Sequence, residues 1–134
     1  MKKLLIMSVV TALAAGLPVS AFAQSQATKE VTTAHTHAVL AQKATPLAMT
    51  HMHLHHVINC LVGPKGSGFD AAAGNPCKGQ GDGAIKDAAS DSALEAKLTS
   101  ALADARSGLK SNSLETAQKD AGKAASELEA TPGK

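Results

Sequence analysis

The chain has 134 residues, 44% of them hydrophobic, with two Phe, no Tyr or Trp, and a formal net charge of +2. That length fits one small domain, or less once a targeting segment is removed. A near-neutral chain this poor in aromatics has neither the basic footprint nor the stacking rings that nucleic-acid binding needs, so that class of partner is excluded.

Met1-Lys2-Lys3 is a basic start, Leu4 to Leu17 is a nearly unbroken apolar run, and Ala21-Phe22-Ala23 is a small-x-small cleavage site. This is the pattern of a secretory signal peptide over residues 1–23, too short for a convincing membrane span. The two-lysine start and short apolar run are bacterial in style. The expected location is therefore the periplasm or the medium, with no membrane attachment after cleavage. The first cysteine, Cys60, is far from the cleavage site, so no lipid-anchor motif follows it. In residues 24–134 the Lys and Arg residues balance the Asp and Glu residues.

Residues 24–28 read as a flexible leader, 29–130 as a single helical domain, and 131–134 as a tail. From Lys29 to Lys43, Val31, Ala34, Ala38 and Ala41 recur at helical spacing. Thr45-Pro46 then gives a start signal, with Thr45 as N-cap and Pro46 at the first helical position. Leu47, Leu54, Ile58 and Leu61 follow on one face, and Gly63-Pro64 closes this second helix. Residues 63–83 hold seven glycines together with Pro64 and Asn75-Pro76, and read as a long loop. Ser92-x-x-Glu95 matches a capping box. Behind it, Leu94, Leu98, Ala101, Leu102, Ala105 and Leu109 form a stripe interrupted by Gly108 and Ser111-Asn112-Ser113. A last helix runs from about Leu114 to Leu128, with Ala117, Ala121, Ala125 and Leu128 inward. The fold expected is all-α, a small four-helix bundle of two helical hairpins joined by the long Gly-rich loop.

Such a core is thin, because Ala buries little area beside the roughly 1.5–3 kcal/mol contributed by a Leu or Val side chain. Chains of this size often need a staple or a ligand. In an oxidising compartment Cys60 and Cys77 read as a disulfide. Closing a loop of about 17 residues contributes on the order of 3 kcal/mol in the chain-entropy treatment.

The one concentration of chemistry is the set of six histidines between positions 35 and 56, with Met49 and Met52 among them. Imidazole binds Cu, Zn and Ni, and thioether sulfur adds a preference for Cu(I). Taking about 100° per residue, His51 and His55 flank the apolar stripe of the second helix, and His35 flanks that of the first. Folding the two helices back on each other brings these three towards the seam. His35, His51 and His55 are thus the expected primary site, with three nitrogens and an open fourth position. His37, His53 and His56, with Met49 and Met52, form the secondary group on the other side. In composition, residues 35–56 resemble small His-rich periplasmic helical proteins that buffer metals, and the resemblance implies buffering, sensing or transfer of Cu, Zn or Ni.

Rival readings are a pH-sensitive His-rich surface, a chaperone-like envelope module carrying Phe69 on its loop and able to form a homodimer, and a b-type haem bundle, which the lack of aromatics disfavours. Gly79-x-Gly81-x-Gly83 lacks the strand a phosphate loop requires. Asp82, Asp87 and Asp91 do not match a calcium loop, and no nucleophile motif suggests an enzyme. Glu95, Lys97, Asp104, Arg106, Lys119, Asp120, Glu127 and Glu129 read mostly as a solvated face. On this reading, replacing His51 and His55 by Ala removes most of the metal affinity, and affinity falls as pH drops through about 6.5.

Overall fold

Alanines at 27, 34, 38 and 41, with Val31, give the first helix a short-chained buried face, and short side chains let neighbouring helices approach closely. The computed structural model describes residues 19–129, as helices α1 (Val19–Lys43), α2 (Leu47–Val62), α3 (Ala84–Asp87), α4 (Ser92–Lys110) and α5 (Leu114–Glu129). No strand occurs among the described residues. The basic start and apolar run of the expected signal segment lie outside them, as does the tail at 131–134. α1 packs against both α2 and α5, and α4 packs against both α5 and α2, so the four longer helices contact one another in a ring.

α1 is longer than expected. Residues 24–28, read as a leader, are helical and continuous with the rest of α1, and Ala27 is fully buried. Its threonines, poor helix formers by χ1 restriction, return their hydroxyls to the preceding turn: Thr28 donates to the Gln24 carbonyl and Thr32 to the Thr28 carbonyl, each at 2.9 Å. At the other end, the Ala44 carbonyl accepts from the Thr50 hydroxyl at 3.0 Å and from Gln118 Nε2 at 2.9 Å. The first bond closes the turn onto α2, and the second ties it to α5.

Two capping expectations and one helix break change. Pro46, not Thr45, occupies the cap position of α2, with extended backbone and no side-chain cap; its carbonyl accepts the Met49 amide at 2.9 Å. Asp91 rather than Ser92 caps α4, accepting the Leu94 amide at 3.0 Å. Gly108 does not interrupt α4, which runs through it to Lys110. A Cβ there would meet Leu54 Cδ1 at 3.0 Å and the Ala117 carbonyl at 3.1 Å, so glycine permits close approach rather than a break. Asp120, expected on the solvated face, is buried and accepts from the Ser107 hydroxyl and the Lys123 ammonium, each at 2.7 Å. The inward set on α5 is otherwise as read, with Ala117, Ala121, Ala125 and Leu128 all buried.

Cys60 and Cys77 are joined by a disulfide. Residues 63–83 contain turns and bends but no helix, and their two ends meet: a Cβ on Gly63 would strike the backbone of Asp82 and Gly83. Gly63 also has φ +70°, a region that favours glycine. Inside the segment, Asn59 of α2 donates from Nδ2 to the Asp70 and Gly74 carbonyls at 2.7 and 2.6 Å, while its Oδ1 accepts the Asp70 amide at 2.8 Å. Asn59 is fully buried, and these three bonds satisfy it.

Glu30 is the other buried polar anchor. Its Oε1 accepts the Gly83 amide at 2.9 Å, and its Oε2 has no partner. Burial raises its pKa to about 8 against the pull of the Gly83 bond, with Asp87 and Asp82 adding to the rise. The folded state therefore holds this proton more tightly than the unfolded chain, whose carboxyl ionises near 4.5. Stability is lost as pH rises from that value through about 8. In thermal melts, the advantage of Glu30→Gln over the native chain is expected to grow steadily between pH 5 and pH 8. An advantage that stayed constant with pH would contradict this account.

Candidate metal centre

Two flanks border the buried stripe of α2. His51 and His55 lie on one and His53 and His56 on the other, because steps of about 100° carry alternate residues to opposite sides. On α1, His35 and His37 likewise fall either side of the Ala27–Ala34–Ala38 face. The flanks that meet across the α1–α2 contact carry His37, His53 and His56. Their ligand nitrogens all lie within 4.8 Å of one another. His37 Nδ1 is 3.2 Å from His53 Nδ1 and 3.3 Å from His56 Nδ1. All three rings are half-buried, and the His37 and His56 rings meet edge to face with centroids 4.6 Å apart.

The proton positions follow from the partners. His56 Nε2 lies 2.7 Å from the Ala73 carbonyl oxygen, which can only accept, so Nε2 carries the hydrogen and Nδ1 of the neutral ring carries a lone pair. The contact from that lone pair to His37 Nδ1 then makes His37 Nδ1 the donor. His53 Nδ1, also facing His37 Nδ1, must accept too. A single proton on His37 thus faces two lone pairs, an arrangement in which a metal cation can replace the proton once His37 shifts its hydrogen to Nε2. Burial, reinforced by the neighbouring His56 and His53, lowers the His37 pKa to about 4. Burial and His56 also lower that of His53.

The spacing suits a metal. With metal–nitrogen bonds of about 2.0–2.1 Å in tetrahedral geometry, ligand nitrogens stand about 3.3 Å apart, which matches the two contacts at 3.2 and 3.3 Å. The Ala73 carbonyl fixes the ring and tautomer of His56, as outer-sphere carbonyls do for metal-bound imidazoles. Asn59, holding the carbonyls on either side of Ala73, positions that acceptor. Neither Asn59 nor Ala73 carries a metal-ligand pattern in the sequence. A polar amide between Ile58 and Cys60 in an otherwise apolar helical turn was the available signal.

The structure does not bring His35, His51 and His55 together into a ligand group. His51 Nε2 donates to the Ser111 carbonyl at 3.0 Å, at the C-terminal cap of α4. His55 Nδ1 lies 3.3 Å from Asp70 Oδ2, and His35 is half-buried on the far flank of α1. Apolar spacing identifies the buried stripe, but the side of that stripe on which each neighbour sits depends on how the whole helical ring is handed. Met49 and Met52 are exposed.

In an NMR titration of the metal-free protein, the His37 ring is expected to stay neutral until about pH 4 and the His53 ring to titrate below its ordinary 6.5. His37 therefore stabilises the fold above 6.5, and that contribution is lost as pH falls towards 4, because the unfolded chain takes up the proton first. A His37 midpoint near 6.5 would show the cluster to be open to water. Comparison with protein-family models, curated proteins and solved structures returns no match for this chain.

Proposed function

We propose that this is a non-enzymatic, exported metal-binding protein that holds Cu, Zn or Ni through His37, His53 and His56 and buffers, senses or passes on the ion in the bacterial periplasm. The observation that carries the reading is the pair of Nδ1 contacts at 3.2 and 3.3 Å between rings on two helices. The helical bundle holds the rings in place, so binding need not order a disordered segment. One observation favours the compartment: a disulfide joins Cys60 and Cys77, and such bonds persist where thiols are oxidised.

Competition titrations with Zn(II) at pH 7.5 test the assignment. Replacing His53 and His56 together by Ala is expected to weaken binding by more than about 100-fold, beyond the loss an outer-sphere change produces. The matched variant lacking His51 and His55 serves as the comparator, with its affinity within about threefold of the native chain, as its rings lie outside the cluster. Equal losses in the two variants would reject the three-histidine site.

A further inference from the structure

Three imidazole nitrogens leave one position of a four-coordinate ion open, and no carboxylate or thiolate joins the His37, His53 and His56 group among the described residues. Cys60 and Cys77 are committed to each other, which leaves thioether as the remaining form of protein sulfur. Met49 and Met52 precede His53 and His56 by four residues each on α2, so each thioether side chain starts one turn below a ligand histidine on the same flank. Side chains in a helix lean towards its N-terminus, which tips both histidine rings over the methionines.

The methionines are also oddly placed for packing. Met49 is 37% and Met52 42% exposed, while the core of the same helix is built from Leu54, Val57, Ile58 and Leu61. Neither belongs to the buried cluster. Leu40 of α1, 43% exposed and three residues beyond His37, adds a third apolar side chain at the same end of the α1–α2 hairpin. Three exposed apolar side chains, Leu40, Met49 and Met52, thus lie at the turn end of the two helices that carry the histidines.

We propose that Met49 and Met52 supply a thioether as the fourth donor and make this a Cu(I) site, a soft monovalent cation being the ion that a mixed imidazole–thioether donor set selects. The assignment rests on the three-histidine reading above. Zn(II), a borderline ion with no need of thioether, uses the same three nitrogens with water in the fourth position. Because both methionines are exposed, Leu replaces them with little change in volume and little effect on folding.

The test measures Cu(I) affinity anaerobically by competition with a colorimetric Cu(I) chelator, and Zn(II) affinity in parallel. It compares the native protein, the double variant M49L/M52L and the double variant H53A/H56A. The expected result is that M49L/M52L loses Cu(I) affinity by at least about tenfold and keeps its Zn(II) affinity within about twofold, while H53A/H56A loses both. X-ray absorption at the copper edge should show a sulfur neighbour in the native protein that is missing from M49L/M52L. If M49L/M52L binds Cu(I) as tightly as the native chain, with no change in that spectrum, the thioether assignment is overturned and the three-histidine site stands. If the native protein binds neither ion, both are overturned.

Discussion

The bond between Cys60 and Cys77 turns residues 63–83 from a mobile connection into a wall of the molecule. It spans 17 residues of sequence and lies beside two further constraints, the backbone contact of Gly63 with Asp82 and Gly83 and the three hydrogen bonds of Asn59. With both ends and the middle fixed, the segment offers the Ala73 carbonyl to His56 and the Asp70 carboxylate to His55. It is also fastened to α4, where Arg106 Nη2 donates to the Ser67 carbonyl at 2.8 Å. Without the disulfide, a segment so rich in glycine would have a large conformational entropy to lose, about 1–2 kcal/mol per residue for the backbone alone.

Beyond that constraint, the fold stands on small contacts. Most of the buried hydrophobic residues are alanines, and the larger buried side chains come mainly from Leu54, Val57, Ile58, Leu61, Leu98 and Leu128. Each alanine removes little apolar surface from water, but the short faces allow backbones to pack closely, and glycine at 108 extends this to α4. Specificity then falls to buried polar groups. Glu30, Thr50, Asn59 and Asp120 are buried, and each bonds to a different element of the chain. Mispairing the helices would strip Glu30 and Asp120 of these distant partners, at about 1–3 kcal/mol each.

The helices themselves were readable. Apolar spacing placed the inward alanines of α1 and α5, the glycine after α2 named its end, and the even cysteine pair, read beside the expected export signal, named the disulfide. What stayed hidden was set by tertiary geometry. The histidine region was visible as a cluster, and its division into two flanks followed from helical angle alone. Which flank faced the neighbouring helix did not, because His35 and His37 sit almost symmetrically about the buried face of α1. Glu30 gave no sign of burial either: it borders that face, and its role appears only when the Gly83 amide arrives from a distant part of the chain. The continuation of α1 through residues 24–28 depends in the same way on a neighbour, since Ala27 is buried only when the other helices cover it.

The separations along the chain carry one further consequence. His37 precedes His53 and His56 by 16 and 19 positions, while Cys77 follows Cys60 by 17. An ion shared by the three histidines would therefore close a ring backwards from α2 of almost the same size as the covalent ring that already closes forwards. α2 would then join two consecutive rings, residues 37–56 and 60–77, one permanent and one opened or shut by the supply of metal. Because only the folded chain gathers the three nitrogens, each increase in bound ion would be read out as resistance to unfolding.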